Sequence, residues 1–550
     1  MSLPDGIIRE RTRQKGITDD PFVGMAGSFQ YAENLNVFDD PRGIKLTTAW
    51  RKSTSYKSCK LVSGWDYIIR IPTTWSVQKV TPENRPNWTT IGSVSNSMTP
   101  FDATIFAWYV NVIASLSDRF WAIFAYPISA WSQKVYVPTD TTWNWENIFP
   151  NTPTIVLWIN TPNYCSCICN FNNSMMLVGN WNILRAYNPA DDTWATSQSP
   201  TYGDVHTEWW KIVKIYDADT TIFDISPKAD YVEIFLRDGA GNTKIHYYPW
   251  IFDMEDSGLM KSVELPNTRV NRVYPHMTKE MIVTTYDGSN NNVSLREVIG
   301  YDTYPVMRSH RAGLSPLDVQ HKLGFFTWPC SEDMARYEQR AYIADVEWIW
   351  ELNWYDVKKM PVANLRWKFH DESDNKTPKW LAVAKDFIFA SYDDGEYCAR
   401  IYDTANPAWY AEQGTLISRA IETEYGGEFT KNLVRWMVQF EMNNLTDDNG
   451  TIDIYVCWNR ERNSMNDDAW VHIAQITQDD ADFGSQTSGW WYSIGTCVHW
   501  FDNAGDWSFM QDRQVIEYKV VITRGDEDDA SPVLRGLLME YDVKNKTNYF

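Results

Sequence analysis

The side chains that most often carry out chemistry are scattered through this chain of 550 residues rather than grouped in motifs. The sequence contains no Gly-x-Ser-x-Gly elbow, no phosphate loop ending in Gly-Lys and no His-Glu-x-x-His zinc motif. A pair of metal-binding histidines on one helix needs a spacing of four residues, and none of the eight histidines has that spacing. We therefore expect a protein that is not an enzyme and whose histidines are structural.

Three cysteines occur at alternate positions, Cys165, Cys167 and Cys169. Alternate side chains of a β-strand point to the same face, so the three thiols would share one face. A zinc site needs ligands that converge from two elements, and no Cys-x-x-Cys pair follows this strand. The spacing favours a face of small residues in a buried strand, with a metal site as the alternative.

Acidic and aromatic residues suggest three further kinds of site. Asp217, Asp219 and Asp224 could supply oxygen ligands to calcium, but their spacing differs from the Asp-x-Asp-x-Asp-Gly pattern. A glycosidase needs two facing carboxylates, and the 71 acidic residues do not single out a pair. Adjacent aromatic residues at 209–210 and 490–492 could stack on sugars or pack internally. We expect solvated acidic loops, no metal and no cofactor.

The charge balance narrows the range of partners. Fifty basic and 71 acidic residues give a net charge of −21. A surface of this sign disfavours wrapping a nucleic-acid backbone or binding an anionic membrane. No run of about 20 apolar residues is present for insertion into a membrane. The first residues lack the layout of a secretory signal, so we expect synthesis in the cytoplasm and reduced cysteines.

Apolar and polar residues alternate with a period of two along much of the chain, which predicts strands with one buried face. Within residues 516–523, for example, Ile516, Tyr518, Val520 and Ile522 face one way. Only two short passages, residues 331–340 and the first dozen residues, have a pattern that a helix could adopt. The predicted fold class is all-β.

Turn signals divide the chain at a regular spacing. Asp-Gly pairs at 238–239, 287–288 and 394–395 have the composition of tight hairpin turns. Weaker turn signals lie near residues 74, 118, 180 and 347. The six intervals average about 53 residues, close to the period of β-propeller blades with four short strands each. We predict a propeller of six or seven blades over residues 51–415, with a series of β-sandwiches as the alternative.

The two ends of the chain differ from this repeating region. After residue 415 the predicted strands lengthen, and six of them within about 135 residues predict a β-sandwich over residues 416–550. Residues 1–50 fit neither pattern. We interpret them as an arm that packs on a neighbouring subunit or supplies the strand that closes a ring.

Basic residues in this arm are the candidate assembly contacts of a homo-oligomer. Arg9, Arg11, Arg13 and Lys15 place positive charge at the start of an acidic chain. Opposite charges across an interface favour association, so an acidic neighbouring copy is the expected partner.

Two short phrases resemble virion structural proteins of tailed bacteriophages. The first, at residues 29–46, is FQYAENLNVFDDPRGIKL, similar to the aromatic, Asn-Leu and Asp-Pro phrase that opens such proteins. The second, at residues 530–541, is ASPVLRGLLMEY, similar to the last strand of the β-sandwich in phage tail and neck proteins. Together the phrases cover roughly 30 residues, and the resemblance also implies a propeller-like body before the sandwich.

The resemblance implies a non-catalytic structural component of the tail or neck of a virion. Its expected partners are other virion proteins and further copies of itself, and its expected location is the virion after synthesis in the host cytoplasm. Channel DNA would lie near an acidic protein without specific binding. Two alternatives remain, a receptor- or glycan-binding tail protein and a propeller glycosidase.

Tryptophan is unusually frequent relative to glycine, with 29 Trp and 27 Gly. Several tryptophans stand where a tight turn favours glycine, as in Asn180-Trp181 and Asp506-Trp507. Some genetic codes read UGA as glycine, so we hypothesise that some of these positions are glycine in the native protein. The alternative is that the aromatic rings fill the faces of the sheets.

Overall fold

The protein, described by a computed structural model, consists of antiparallel strands, and no α-helix occurs in the ranges described. The all-β class is therefore confirmed. No helix in those ranges is long and apolar enough to span a membrane. The described ranges are residues 6–10, 29–39, 43–55, 60–71, 76–82, 87–93, 99–106, 109–117, 120–128, 134–136, 165–171, 175–187, 210–228, 230–249, 259–265, 268–276, 279–286, 293–299, 302–308, 335–344, 348–353, 362–368, 380–392, 394–402, 410–418, 421, 431–441, 450–458, 470–477, 497–502, 516–526 and 530–543.

Strands β1 to β5 lie in the first 54 residues, and the strands after them form consecutive four-stranded sheets. The first five are β1 (Gly6–Glu10), β2 (Phe29–Glu33), β3 (Leu35–Asn36), β4 (Ile44–Leu46) and β5 (Arg51–Thr54). Sheet 1 contains β6 (Lys60–Ser63), β7 (Ile68–Ile71), β8 (Ser76–Val80) and β9 (Thr89–Ser93). Sheet 2 contains β10 (Thr99–Phe106), β11 (Tyr109–Ser117), β12 (Phe120–Pro127) and β13 (Lys134–Tyr136). Sheet 3 contains β14 (Cys165–Phe171), β15 (Met175–Asn180), β16 (Ile183–Tyr187) and β17 (Trp210–Ile215).

The same arrangement continues through four more sheets. Sheet 4 contains β18 (Thr221–Pro227), β19 (Val232–Arg237), β20 (Thr243–Tyr248) and β21 (Lys261–Leu265). Sheet 5 contains β22 (Thr268–His276), β23 (Lys279–Tyr286), β24 (Val293–Ile299) and β25 (Asp302–Arg308). Sheet 6 contains β26 (Ala335–Tyr337), β27 (Arg340–Ala344), β28 (Trp348–Asn353) and β29 (Val362–Lys368). Sheet 7 contains β30 (Trp380–Ala384), β31 (Phe387–Tyr392) and β32 (Gly395–Arg400), and its fourth strand is β5.

Every turn that the sequence predicts falls at one place in this repeat, the connection between the second and third strands of a sheet. The turns at 180, 238 and 394 separate these strands in sheets 3, 4 and 7. The positions 74, 118 and 347 lie outside the described residues, between the second and third strands of sheets 1, 2 and 6. The pair at 287–288 lies outside the described residues, between β23 and β24. The hairpins are therefore confirmed, and their spacing reflects one turn in each four-stranded sheet.

Neighbouring sheets pack through their first strands and through shared apolar clusters. β6, β10, β14, β18 and β22 lie next to one another in that order, and β30 of sheet 7 lies against β6 of sheet 1. Leu61 and Ile68 of sheet 1 are buried with Phe389 and Cys398 of sheet 7. Sheet 7 therefore packs on sheet 1, although β30 to β32 lie some 300 residues after sheet 1 in the sequence.

Residues 331–340 do not form the helix that the sequence allows, at least from residue 335 onward. Strand β26, a turn at Glu338 and Gln339 and the start of β27 occupy residues 335–340. Tyr337 pairs with Arg340 across this two-residue turn. The segment pairs into sheet 6 instead of forming a helix, because a local preference for helix is weaker than the stabilisation from pairing in a sheet.

The last strands form two larger sheets, which we call the terminal sheets. These strands are β33 (Gln413–Ser418), β34 (Lys431–Glu441), β35 (Thr451–Trp458), β36 (Val471–Ile476), β37 (Cys497–Asp502), β38 (Ile516–Thr523) and β39 (Val533–Val543). The first terminal sheet has the order β3-β4-β39-β34-β37, with β1 also paired to β39, and the second has the order β2-β33-β38-β35-β36. All six predicted C-terminal strands are present, and β37 is an additional one.

The expected division into residues 1–50, 51–415 and 416–550 needs correction. Strands β1, β2 and β4 pair with C-terminal strands of the same chain and β3 pairs with β4, so residues 1–50 do not form a separate arm where they are described. The boundary at 415 also cuts through β33, which pairs with both β2 and β38. Pairing between the two ends of a chain has no local signal, which is why the sequence pattern predicted a separate arm and misplaced the boundary at 415. The boundary at 50 does separate β4 of a terminal sheet from β5 of sheet 7.

One hydrophobic core lies between the two terminal sheets. Its members come from both ends of the chain and are almost fully buried, as shown by Leu35, Leu46, Leu416, Val520 and Met539. Alternate residues of β35 and β38 enter this core, as the sequence periodicity predicts. The N-terminal strands are therefore part of the core of the terminal sheets.

Trp181 is in the left-handed region of backbone conformation, with a φ of 48°. It is the first residue of a two-residue hairpin in which Asn180 pairs with Ile183. Glu338 and Lys385 have a φ of 51° at the same position of two other two-residue hairpins. The turn geometry therefore sets this φ, which glycine adopts without the steric cost that a Cβ imposes.

We predict that Trp181→Gly raises the free energy of unfolding by about 1 kcal/mol, because glycine removes the left-handed strain. The Trp181 indole N–H donates only an exposed hydrogen bond to the Ala218 carbonyl at 3.2 Å, so little is lost. Urea unfolding measures the change, and Lys385→Gly is the matched control for the backbone effect. Mass spectrometry of the peptide around residue 181 from native protein tests the recoding hypothesis, and a tryptophan there would contradict it.

Candidate functional site

The basic residues expected at an assembly contact are only partly described. Arg9 lies in β1, where its backbone pairs with Leu538 of β39. Arg11, Arg13 and Lys15 lie outside the described residues. Their role at an interface stays a prediction, but β1 itself is placed on the edge of a terminal sheet.

A bulge recurs at the same place in the first strand of sheets 2 to 5. The pairing register shifts between Pro100 and Asp102, Cys165 and Cys167, Ile222 and Asp224, and Val270 and Arg272. Each bulge inserts one extra residue and re-aims the side chains that follow it. These first strands lie next to one another, so the bulges form a row across sheets 2 to 5, which we call the inner belt.

The charged side chains of this inner belt are used to join neighbouring sheets. The Asp102 carboxylate accepts hydrogen bonds from the backbone N–H of Ala103 and of Ile168 in sheet 3, both at 2.8 Å. It also forms an ion pair with Lys60 of sheet 1. The Lys60 ammonium group lies 4.6 Å from the ring centroid of Trp380 in sheet 7. One carboxylate and one ammonium group thus connect sheets 7, 1, 2 and 3.

Cys169 lies close to two acidic residues of the inner belt. Burial, and after it the negative charges of Asp224 and Asp102, raises the pKa of the Cys169 thiol well above its usual value. A thiol with a raised pKa is a poor nucleophile and a poor metal ligand. Cys169 packs, with the buried Cys167, on the apolar cluster between sheets 3 and 4. The bulge between Cys165 and Cys167 interrupts the alternation that would put three thiols on one face.

The three aspartates considered as calcium ligands do not form a site with one another in the described residues, and His246 has a structural setting. The Asp224 carboxylate accepts a hydrogen bond from the Ile225 backbone N–H at 2.8 Å, whereas Asp217 and Asp219 lie in the loop before β18. The described residues contain no group of three or more His, Cys, Asp or Glu side chains that could hold a metal ion. Burial, and then the charges of Lys244 and Lys214, lowers the pKa of His246. The lowered pKa favours the neutral form of His246, whose ring packs against those of Tyr216 and Tyr248.

A group of four buried or largely buried charges lies where sheet 6 meets the N-terminal strands, and we call it the junction network. It consists of Asp39, Arg340, Glu351 and Arg366. The Glu351 and Arg366 side chains are completely buried. Asp39 follows β3 of a terminal sheet, and the other three residues lie on β27, β28 and β29. The network therefore joins sheet 6 to the terminal sheets.

Each charge in the junction network is paired with an opposite one. A Glu351 carboxylate oxygen lies 2.8 Å from an Arg366 nitrogen and 3.0 Å from an Arg340 nitrogen. Arg340 also pairs with Asp39, and a second Arg366 nitrogen lies 3.5 Å from an Asp39 oxygen. The Arg366 guanidinium donates further to the Ile401 carbonyl. Paired, hydrogen-bonded charges of this kind tolerate burial, whereas a single unpaired charge does not.

Backbone atoms of the N-terminal strands complete the contact with sheet 6. The Asn364 amide donates to the Leu35 carbonyl at 3.3 Å, and the Trp367 indole N–H donates to the Thr48 carbonyl at 2.8 Å. These bonds are specific to one relative position of β29 and the N-terminal segment, because donors and acceptors must align. Sheet 6 and the terminal sheets are therefore held in a defined arrangement.

We predict that Asp39→Asn reduces the dependence of stability on acid pH. Burial acts to raise the pKa of Asp39, but the charges of Arg366 and Arg340 outweigh it and hold the pKa below the usual value of 3.8. A carboxylate with a lowered pKa adds stability above its unfolded pKa and loses it as pH falls through the folded one. Urea unfolding from pH 6 to pH 2 should give a shallower profile for the variant, and parallel profiles would contradict the prediction.

Sequence reasoning missed the junction network, although a signal for it exists. Glu351 interrupts the otherwise apolar run WIWEL at residues 348–352, and Arg366 interrupts a similar strand. A charge inside an apolar strand must be paired if the strand is buried on both faces. The partner of each charge comes from a distant part of the chain, so the pattern marks the residues without showing what they bind.

A second surface combines charged and aromatic side chains on the second terminal sheet, and we call it the outer patch. It consists of Asp453, Tyr455, Trp470, His472 and Lys519. The His472 Nε2 lies 3.0 Å from an Asp453 oxygen, and the His472 and Tyr455 ring centroids are 4.8 Å apart. The Lys519 ammonium group lies 4.5 Å from the Tyr455 ring centroid and 5.5 Å from that of Trp470. The His472 side chain is 47% exposed, so the patch is accessible to solvent.

The aromatic residues that the sequence suggested for stacking on sugars are different from those in the outer patch. Residues 490–492 and Trp209 lie outside the described residues, and Trp210 lies in β17. Trp470, which precedes β36, is largely buried. The outer patch was not singled out from the sequence because its members come from three strands.

Comparison with known proteins gives a distant likeness in fold. No known protein family matches the chain, and no curated protein matches its sequence. The β-propeller domain of Cps50 (Swd1) from Myceliophteria thermophila is similar in structure, with a TM-score of 0.39 and 7% sequence identity. The matched region covers 64% of this chain and 98% of that domain. A likeness of this degree says nothing about what the chain does.

Proposed function

We propose that sheets 1 to 7 form a seven-bladed β-propeller. The proposal is supported by seven four-stranded antiparallel sheets in chain order, with the first strands of sheets 1 to 5 side by side and those of sheets 6 and 7 in contact. It is supported also by the contact of β30 with β6 and by the completion of sheet 7 by the N-terminal strand β5. Radial closure of this kind protects short strand edges. The blade number is then seven, the higher of the two expected values.

We propose that the terminal sheets form a β-sandwich. Its support is the single core that both sheets bury between them, to which β2, β4, β33, β34, β35, β38 and β39 contribute. Two antiparallel sheets that pack face to face in this way are typical of β-sandwiches. The sandwich would include residues 29–46 as well as residues after 412.

We propose that the protein is a non-catalytic structural component of a tailed-phage virion, in the tail or neck, and that it assembles as a homo-oligomer. One observation carries this proposal. The two phrases that resemble phage virion proteins meet in space, since Ile44 and Lys45 pair with Leu534 and Val533. The Leu46 backbone N–H also donates to the Ser531 hydroxyl at 2.8 Å. The two phrases therefore lie side by side in the first terminal sheet, although Leu46 and Ser531 are 485 positions apart in the sequence.

The physical character of the chain fits an assembly component. Buried ion pairs connect neighbouring sheets in the inner belt and in the junction network. Strands from the N-terminus complete sheet 7 and both terminal sheets, which reduces exposed strand edges. The net charge of −21 would keep DNA in a channel from sticking. The partners are then other virion proteins, and the location is the virion after synthesis in the host cytoplasm.

Purified phage particles provide the test of this proposal. Quantitative mass spectrometry should find the protein at a fixed copy number per particle, and immunogold labelling should place it on the tail or neck. Copies equal to a small symmetric ring would support a homo-oligomer. Absence from particles that contain the other virion proteins would contradict the proposal.

The outer patch favours a second candidate function, binding of a receptor or glycan by a tail protein. Its half-exposed imidazole, tyrosine ring and ammonium group offer stacking and hydrogen bonding on one surface. A glycan array probed with the labelled protein should then give binding that Tyr455→Ala removes. Trp65→Ala, which changes an exposed tryptophan outside the outer patch, is the control and should preserve the binding. Binding that is unchanged in Tyr455→Ala would exclude the outer patch.

A further inference from the structure

Strand β1 occupies one edge of β39 and has no other strand partner in the described part of the chain. Gly6 to Glu10 pair with Tyr541 to Leu537. On its opposite edge β39 pairs with β34 from residue 533 to residue 543. Strand β4 pairs only with Val533 and Leu534 of the edge that β1 uses. Without β1, residues 537–541 of β39 would therefore be an unpaired strand edge.

The connection between β1 and β2 is long enough to reach another subunit. Residues 11–28 separate the two strands. Eighteen residues can span about 60 Å when fully extended, roughly twice the diameter of a small domain. The backbone hydrogen bonds of β1 with β39 would be the same whether both strands belong to one chain or to two. Which pairing forms therefore depends on the local concentration of the competing edges.

We propose that, in the assembled protein, β1 of one copy pairs with β39 of a neighbouring copy. This inference rests on the proposed homo-oligomer and names the contact that holds it together. Each copy gives one strand and receives one, either reciprocally in a two-fold dimer or head-to-tail in a closed ring. The addition of a strand to an open edge supplies affinity through main-chain hydrogen bonds.

The charge pattern favours pairing of β1 with an acidic chain, whether its own or a neighbouring copy. Arg9, Arg11, Arg13 and Lys15 lie in or directly after β1, and the chain that receives the strand carries a net charge of −21. A basic segment is attracted to an acidic surface, and this local attraction partly offsets the repulsion between two copies of like net charge. The four residues singled out from the sequence then act beside the exchanged strand.

Two single-cysteine variants distinguish exchange from pairing within one chain. Ile7 is directly opposite Glu540 in the register of β1 and β39. Opposed residues of antiparallel strands have Cα atoms about 4.5–5.5 Å apart, within the range of a disulfide. We expect co-expressed Ile7→Cys and Glu540→Cys chains to give a disulfide-linked dimer on a non-reducing gel, and either variant alone to give none.

Further variants give the controls and the outcomes that would overturn the proposal. Ile7→Cys co-expressed with Lys45→Cys should give no dimer, because Lys45 lies on β4 and pairs with Val533 instead. A chain that carries both Ile7→Cys and Glu540→Cys should form linked oligomers. If it forms only an internal disulfide, and the mixed chains give no dimer, exchange is wrong.

Sedimentation of the unmodified protein separates this proposal from the one on which it rests. A monomer at every concentration would contradict the homo-oligomer itself. An oligomer without the mixed disulfide would contradict strand exchange and leave the homo-oligomer standing. An oligomer whose size falls when residues 1–10 are deleted would support exchange.

Discussion

Glu351→Ala is expected to lower the free energy of unfolding by about 3–5 kcal/mol, the usual cost of breaking a buried charge pair. The Glu351 carboxylate faces Arg366 at 2.8 Å and Arg340 at 3.0 Å, and the Glu351 and Arg366 side chains are fully buried. It also accepts a hydrogen bond from the Tyr342 hydroxyl at 3.4 Å. Without it, two guanidinium groups are left with Asp39 as their only carboxylate partner in the junction network.

Urea unfolding measures this loss, and an exposed ion pair provides the control. Lys244 and Glu264 are 3.0 Å apart, and their side chains are 43% and 65% exposed. Lys244→Ala should therefore cost no more than about 1 kcal/mol. Glu351→Gln, which keeps the shape and removes the charge, should fall between the two. A loss for Glu351→Ala as small as that for Lys244→Ala would mean that the junction network adds little stability.

Amide hydrogen exchange would show where Glu351→Ala acts. The junction network joins β27, β28 and β29 to the segment that contains Asp39. We expect faster exchange in these strands and in β3 and β4, with little change in sheets 2 to 4. Faster exchange throughout the protein would instead indicate that the whole molecule unfolds as one unit.

The hairpins of sheets 1 to 7 could be predicted because their signals are local. Asp238-Gly239 shows the reason, since the Asp238 carboxylate accepts hydrogen bonds from the Ala240 and Asn242 backbone N–H groups of the same turn. Alternation of apolar residues on each side then sets the strands. No contact between distant residues is needed for this prediction.

Pairing between the ends of the chain could not be predicted in the same way. Ile44 pairs with Leu534, and β5 pairs with β32, across several hundred residues. Apolar alternation tells which face of a strand is buried but not which strand lies beside it. The inner belt was missed for a related reason, because the bulge before Asp102 depends on the neighbouring strand. The strands could therefore be predicted from local patterns, whereas their partners depend on contacts between distant parts of the chain.

Gly395→Ala is expected to destabilise the protein by about 1–3 kcal/mol, the usual cost of forcing extra atoms into a packed site. Gly395 begins β32, next to the N-terminal strand β5, and has a φ of 153°. A Cβ at this position would lie 2.2 Å from the Thr54 carbonyl oxygen and 2.8 Å from Lys52 Cε. The Lys52 side chain can move aside, but the Thr54 backbone cannot move without releasing β5.

Gly239→Ala is the matched control, because a Cβ there would lie 3.7 Å from its nearest neighbour, the Asp219 Cβ. That is an ordinary contact, so its effect on unfolding in urea should stay within about 0.5 kcal/mol. If β5 closes sheet 7, Gly395→Ala should also speed trypsin cleavage after Arg51 and Lys52, whereas Gly239→Ala should not. Release of β5 would expose the edge of β32 beside the apolar cluster that joins sheets 7 and 1. Equal cleavage rates and equal stabilities in the two variants would mean that sheet 7 does not depend on its N-terminal strand.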